Sequence, residues 1–211
     1  MKNLKLKGLY AITDPYLTPY QNGEIFVKVE KALKGGTKLL QLRDKHTSIQ
    51  ELFPIAMELK KLCVKYEVLF IINDNIELVL KTDADGLHVG KDDIEPVKAR
   101  KILGENKILG ISCYGDIQRA KDFEKYVDYV SFGSVYPSPT KPEAICISKE
   151  VIKEAKKELK IPICAIGGIT PERAKELIAL GIDMVAVISA LWKSNNIEEK
   201  ARMLLKKQKK C

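Results

Sequence analysis

Eight short apolar runs with strand character alternate with eight stretches of helical spacing, and that alternation leaves few folds open. The runs are "GLYAIT" (8–13), "KLLQLR" (38–43), "VLFIIN" (68–73), "GLHVG" (86–90), "ILGISC" (108–113), "YVSFGSV" (129–135), "IPICAIG" (161–167) and "MVAVIS" (184–189). Strands separated by helices pair in parallel through right-handed crossovers. The choice then lies between an open doubly wound sheet and a closed barrel. An open sheet concentrates polar loops at one switch point, whereas a barrel builds its site from the loops after all its strands. Here nearly every run ends in polar residues or glycine: Thr13-Asp14, Arg43-Asp44-Lys45, Asn73-Asp74, Asp92-Asp93 beyond Gly90, Ser112, the loop "YPSPTK", Gly167-Gly168 and Ser189. The expected fold is α/β, a single-domain (β/α)8 TIM barrel of parallel strands spanning residues 1–211.

The helices carry their own punctuation. "EIFVKVEKALKGG" runs into Gly35 and Gly36, a C-terminal stop. "SIQELFPIAMELKKLCVKY" offers a capping box in Ser48 and Glu51, with Pro54 as a competing first-turn residue. "TPERAKELIALG" has Thr170 to cap, Pro171 in the first turn and Gly181 past the end. The others are "NIELVLKT", "IEPVKARKIL", "DIQRAKDFEKY", "SKEVIKEAKKEL" and "NIEEKARMLLKKQ". No linker, low-complexity tract or repeat beyond the βα alternation is expected.

Composition narrows the function. With 45% apolar and 30% charged residues the chain is globular, and no apolar run reaches membrane-spanning length. The opening "MKNLKLKGLYAITDP" is broken by Asp14 and Pro15 too soon for a signal peptide. Cys63, Cys113, Cys146, Cys164 and Cys211 form no CxxC pair, as expected of packing thiols in a reducing cytoplasm. The net charge of +8 comes mostly from lysines on the helical stretches, without interleaved aromatics or a reading motif. That charge alone fits nucleic acid, an acidic membrane, phosphorylated substrates or only a lysine-rich surface. The missing motif argues against nucleic acid, and the expectation of two phosphorylated small-molecule partners, with no nucleic acid and no membrane, rests on the strand-end residues. The residues leave the subunit number open, a homo-oligomer being compatible with so small a barrel.

The chemistry gathers at the strand ends. In "QLRDK" alternation puts Gln41, Arg43 and Lys45 on one face and Leu42 and Asp44 on the other. If Leu42 packs under the helices, the polar three face the barrel axis. Two cations side by side need a multiply charged anion or carboxylates to compensate them; the competing explanation is an ion pair with Asp14 or Asp44. Asp74, closing "IIND", and Asp93, after "GLHVG", place two carboxylates on neighbouring loops. Magnesium takes one or two carboxylates and completes its shell with water and phosphate oxygens, so this mouth suits a magnesium diphosphate. Alternatively Asp93 caps the following helix, or Asp92 takes its place. Gly167, Gly168 and Ser189 suit a second, monophosphate-sized site, or else the glycines only make a tight packing turn. The prolines of "YPSPTK" hold that loop in shape without regular structure around it. His88, with no ligand-spaced partner, reads as a hydrogen-bonded core residue rather than a catalyst.

In this order, "QLRDK", "IIND", "GLHVGKDD", "GISC", "YPSPTK", "AIGGIT" and "VISA" resemble the thiamine-phosphate synthase family along nearly the whole chain. The resemblance implies a barrel that joins a hydroxymethylpyrimidine diphosphate to thiazole phosphate and releases diphosphate with magnesium. It further implies that Gln41, Arg43, Lys45, Asn73, Ser112 and Lys141 bind the pyrimidine diphosphate. Of these, Arg43, Lys45, Ser112 and Lys141 would carry the catalysis. Asp74 and Asp93 would hold Mg2+, and Ser138, Thr140, Gly168, Ile188 and Ser189 would receive the thiazole phosphate. Lys91, Ser138 and Tyr114 depart from the family's usual glutamine, threonine and histidine. The rival expectations are a thiazole tautomerase, which needs only a monophosphate site, and a non-catalytic phospholigand-binding barrel.

Overall fold

The computed structural model describes residues 6–138, 143 and 145–205. Eight strands, β1 (Gly8–Ile12), β2 (Leu39–Leu42), β3 (Leu69–Asn73), β4 (Gly86–Val89), β5 (Ile108–Tyr114), β6 (Tyr129–Phe132), β7 (Ile163–Ile166) and β8 (Met184–Val187), pair in parallel in chain order. The barrel closes where Gly8 lies opposite Met184 and Ala11 opposite Val187. The expected fold is the observed one.

Helices α1 (Glu24–Lys34), α2 (Ile49–Lys65), α3 (Ile76–Thr82), α4 (Pro96–Leu103), α5 (Ile117–Phe123), α6 (Lys149–Glu158) and α7 (Pro171–Ala179) connect successive strands. A short α8 (Ser189–Trp192) and then α9 (Ile197–Leu205) follow β8. The capping box at Ser48 and Glu51 is formed, and Pro54 lies inside α2 rather than at its start. Thr170 caps α7, with Pro171 at its first position. No helix among the described residues is long and apolar enough to cross a membrane.

Alternation along each strand divides the apolar residues between two cores. Leu40 and Leu42, Phe70 and Ile72, and Leu109 and Ile111 pack outward against the helices. Tyr10, Leu39, Ile71, Tyr129, Cys164 and Met184 fill the barrel axis. Leu42 thus packs as its apolar character demands, and its neighbours Gln41 and Arg43 are turned toward the mouth. Tyr129 fits the axis because its neighbour on β5 is Gly110: a Cβ there would stand 2.0 Å from Tyr129 Cζ.

Three strand ends differ from expectation by two residues or more. β6 stops at Phe132, although Val135 and Tyr136 still donate N–H groups to the Ile166 and Gly167 carbonyls at 2.9 and 3.2 Å. The apolar run continues there because Val135 is buried beneath the loop. β7 begins at Ile163, two residues later than "IPICAIG" suggests. Ser189, expected at a strand end, opens α8 instead. The chain turns there because Trp192, buried across the barrel rim, donates its indole N–H to the Ile12 carbonyl at 2.6 Å.

The structure also holds a repeat of two strands. Asp85, Asp128 and Asp183 stand immediately before β4, β6 and β8, at the N-terminal end of the barrel. Each accepts the backbone N–H of a residue in the preceding strand: Phe70, Leu109 and Ile163, at 2.8, 2.8 and 2.9 Å. Each also pairs with a cation from the helix before that strand: Lys60, Arg100 and Lys156, at 2.9, 2.6 and 3.0 Å. The expectation of no repeat beyond βα alternation is corrected here. A lone "D" before a strand is no motif until the fold aligns the three.

Candidate active site

A cavity of about 1020 Å³ opens at the C-terminal ends of the strands. That volume lies at the top of the range for sites holding one small molecule, leaving room for two. Its wall carries Gln41, Arg43, Asn73, Ser112, Ser138, Gly168, Ile188 and Ser189. Lys45, Asp74 and Asp93 are not on that wall; Asp74 adjoins it through Asn73. Thr140 and Lys141 lie outside the described residues.

Arg43 has no carboxylate partner among the described residues, although two aspartates are close in sequence. Asp44 is used by its own loop, accepting the N–H groups of His46 and Thr47 at 2.8 and 3.0 Å and hydroxyls from Tyr20 and Thr47, each at 2.8 Å. Asp14 likewise turns back to accept the N–H groups of Tyr16 and Leu17 at 3.0 and 3.1 Å. The alternative ion pairs for Arg43 and Lys45 therefore do not form. Lys45 crosses instead to Asp74, Nζ to Oδ2 at 2.6 Å.

The carboxyls of Asp74 and Asp93 lie close enough to act on each other. Burial, then the neighbouring Asp93 carboxyl, pushes Asp74 above the usual carboxylate range against the pull of Lys45. Burial also works against ionised Asp93, but hydrogen bonds from Asp74 and the Gly90 N–H outweigh it and hold that carboxyl low. The Gly90 contact is 2.6 Å. The two carboxyls are thus pushed apart, Asp74 upward and Asp93 downward. Asp74 sits at φ 60°, a left-handed backbone that aspartate tolerates better than most residues. Asp93 does not cap α4: Glu95 does, accepting the Lys98 N–H at 3.0 Å. Asp92 is exposed, which leaves Asp93 as the carboxylate facing Asp74.

Gly167 and Gly168 hold the loop after β7 against the loop after β6. A Cβ on Gly168, at φ +59°, would stand 2.3 Å from the Pro137 carbonyl oxygen. Arg173 fastens the same junction, donating to the Gly168 carbonyl at 2.6 Å while its guanidinium lies 4.5 Å from the Tyr136 ring centre. The tight packing turn is therefore present, and the cavity wall formed by Gly168 and Ser189 is built on it.

Three residues of the site, Tyr10, Tyr129 and Arg119, are illegible from motif spacing. Tyr10, Tyr129 and His88 form a buried hydrogen-bonded row along the axis between Gln41 and Ser112. Arg119, on α5, donates to the Ser112 carbonyl at 3.1 Å and to the Gly90 carbonyl at 3.4 Å, holding two mouth loops from behind. An alternation count shows that Tyr10 and Tyr129 face the axis, yet nothing in it shows that they meet. His88 is the core histidine expected, with both ring nitrogens hydrogen-bonded.

Burial pushes the His88 imidazole down to about 4. Between that value and the unfolded value of about 6.5, the unfolded chain binds the extra proton, so stability falls as pH drops through this window. The loss is expected to reach about 3 kcal/mol at the acid end. Urea denaturation from pH 7 to pH 4 should show it, and His88→Gln should flatten it. A slope equal in both proteins would assign the acid sensitivity to other groups.

The geometry defines a class: a (β/α)8 barrel whose mouth presents an arginine without a carboxylate partner among the described residues, and a lysine–dicarboxylate group, beside a glycine-lined loop, suited to phosphorylated ligands. Comparison with known proteins narrows it. Residues 9–191 match the model of the family described as thiamine monophosphate synthase. The thiamine-phosphate synthase of Nitrosococcus oceani is 46% identical over 197 residues, covering 93% of this chain and 90% of that protein. The thiamine-phosphate synthase of Methanobrevibacter smithii is 40% identical over 99% of this chain and 98% of its own length. The solved thiamine phosphate pyrophosphorylase of Pyrococcus furiosus superposes with a TM-score of 0.86 at 34% identity, over 97% of this chain and 96% of that one. The chain belongs to the thiamine monophosphate synthase family.

Proposed function

We propose that this chain is a thiamine-phosphate synthase, a transferase that joins a hydroxymethylpyrimidine diphosphate to thiazole phosphate in thiamine biosynthesis. The observation that carries the reading is Arg43, a cation on the cavity wall with no carboxylate partner among the described residues, beside Lys45 and the Asp74 and Asp93 carboxyls. A monophosphate-only barrel has no use for this grouping.

The reaction breaks the bond between the pyrimidine methylene carbon and the diphosphate oxygen. The bonding pair leaves with diphosphate, and the electron-rich aminopyrimidine ring shares the positive charge left behind. The thiazole nitrogen then supplies its lone pair to the methylene carbon. No protein nucleophile is required, so the chain's task is positioning and stabilisation of the departing charge. Arg43 offers a planar fork to two diphosphate oxygens. Lys45 reaches the same charge from the rim. Asn73, whose buried Nδ2 has no hydrogen-bond partner among the described residues, offers a donor to the pyrimidine. Gly168 and Ser189 receive the thiazole phosphate. Roles for Thr140 and Lys141 rest on the family resemblance.

The donor set at Asp74 and Asp93 fits magnesium: two hard carboxylate oxygen ligands from neighbouring loops, close enough to act on each other. When bound, the ion neutralises negative charge on the diphosphate. Asp93→Asn is expected to raise the magnesium concentration for half-maximal rate by about tenfold or more, since one charged ligand is lost. An unshifted magnesium titration would remove Asp93 from the metal.

The direct test is mass-spectrometric detection of thiamine phosphate after mixing purified protein with both substrates. Product with equimolar diphosphate, lost with EDTA and restored by magnesium, is the expected result. A folded protein that binds thiazole phosphate but makes no product would overturn the proposal in favour of a tautomerase or a binding barrel.

A further inference from the structure

Five side chains cross the barrel axis in one hydrogen-bonded row. Gln41 Nε2 donates to the Tyr10 hydroxyl at 2.7 Å, and the Tyr10 and Tyr129 hydroxyls are 2.9 Å apart. Tyr129 Oη is 2.9 Å from His88 Nδ1, and His88 Nε2 is 2.9 Å from Ser112 Oγ. Both ends of the row, Gln41 and Ser112, lie on the cavity wall, as do Tyr10 and His88, while Tyr129 lies behind it.

We propose that Tyr10, Tyr129 and His88 are positioning residues that fix Ser112 as a hydrogen-bond donor, and Gln41 as an acceptor, toward the ring of the pyrimidine substrate. This rests on the proposed synthase reading for the identity of the ligand, but the polarity of the row does not. An amide nitrogen only donates. Tyr10 therefore accepts from Gln41, and its own proton has one partner in the row, the Tyr129 oxygen. The Tyr129 proton then goes to His88 Nδ1. With Nδ1 accepting, the ring proton sits on Nε2 and is donated to Ser112 Oγ. The Ser112 proton has no place left in the row and is available to the cavity, as is Gln41 Oε1. In this polarity every link of the row is satisfied in one direction, from Gln41 to Ser112.

The row is held rigidly. Tyr10 and Tyr129 meet edge to face with ring centres 6.0 Å apart, and His88 stacks on Tyr129 at 5.6 Å. Gly110 leaves the space that the Tyr129 hydroxyl occupies, since a Cβ there would stand 2.5 Å from that oxygen. Together with Asn73 Nδ2, the cavity floor presents two donors and one acceptor. That pattern matches ring nitrogens beside an exocyclic amine. Reversing the row would turn Ser112 into an acceptor and place the Gln41 NH2 group toward the ligand, which would oppose the amine.

The test reads the tautomer in the resting protein. The chain has two histidines, so long-range proton–nitrogen NMR of the 15N-labelled protein, with His46→Asn for assignment, isolates the His88 ring. The expected result is the Nε2–H tautomer, with Tyr129→Phe relaxing it to a mixture. Kinetics supply the second readout. Tyr129→Phe keeps the ring and removes one hydroxyl, and should lower kcat/KM about tenfold, the scale of a lost hydrogen bond. In a Ser112→Ala background the same change should cost less than about twofold, because the residues act as a unit. An Nδ1–H tautomer in the resting protein, or additive losses in the double variant, would overturn the proposal. A failed synthase assay with an Nε2–H ring would count against the synthase reading and leave the polarity of the row standing.

Discussion

Arg43→Ala is expected to lower kcat by about 100- to 1000-fold, the scale of removing one well-placed donor from a developing negative charge. The folded state should hardly change. The Arg43 side chain makes no ion pair among the described residues, and its backbone N–H, which donates to Thr13 Oγ1 at 3.0 Å, is retained in the variant. Arg43→Lys should recover only part of the rate, because an ammonium cannot present two parallel N–H groups to a diphosphate. Single-turnover kinetics and a thermal melt of each variant decide the matter. A kcat near that of the unaltered protein, from a variant that melts normally, would take the charge-stabilising role away from Arg43. A large loss of melting temperature would instead give the residue a structural role.

Gly168→Ala should raise KM for thiazole phosphate by about 100-fold with a smaller change in kcat, as expected when binding that is equal in ground and transition states is lost. Two costs coincide at this residue. Its φ of +59° disfavours any side chain, and the added Cβ would meet the Pro137 carbonyl oxygen at 2.3 Å and the Tyr136 Cβ at 2.9 Å. Neither obstacle is a flexible side-chain end, so one loop must move away from the other. Fluorescence titration of thiazole phosphate binding measures the loss. Unchanged affinity would show that the junction can open without disturbing the phosphate subsite.

Much of this was legible in the chain. Periodicity and polar strand ends were enough for the barrel, because a parallel strand buried on both faces must be apolar and must give way to polar residues where it meets the mouth. Alternation in "QLRDK" correctly separated Leu42 from Gln41 and Arg43 for the same reason. The choice between Asp92 and Asp93, and between Asp93 and Glu95 as the helix cap, was not legible. Both depend on where β4 ends relative to the first turn of α4, a matter of one or two residues that hydropathy does not resolve. The partners of Arg43 and Lys45 were equally hidden. Asp14 and Asp44 are near in sequence but satisfy their own loops, while Asp74 arrives from another strand. The row from Gln41 to Ser112 joins five different strands, so no local pattern contains it. The helical turn at Ser189 depends on Trp192 reaching back to Ile12 from the other end of the chain.

The three aspartate latches bear on where this barrel can be enlarged or cut. Each ties a helix, the strand after it and the next strand into one unit: α2 to β4, α4 to β6 and α6 to β8. The joints between units fall at the mouth, after β2, β4 and β6. Insertions at those joints sever no latch, and the longest of them, between Phe132 and Lys149, carries Ser138. A chain divided there into two fragments keeps every latch whole on one side or the other. A cut between α3 and β4 parts Asp85 from both Lys60 and Phe70, and its fragments should reassemble far less readily.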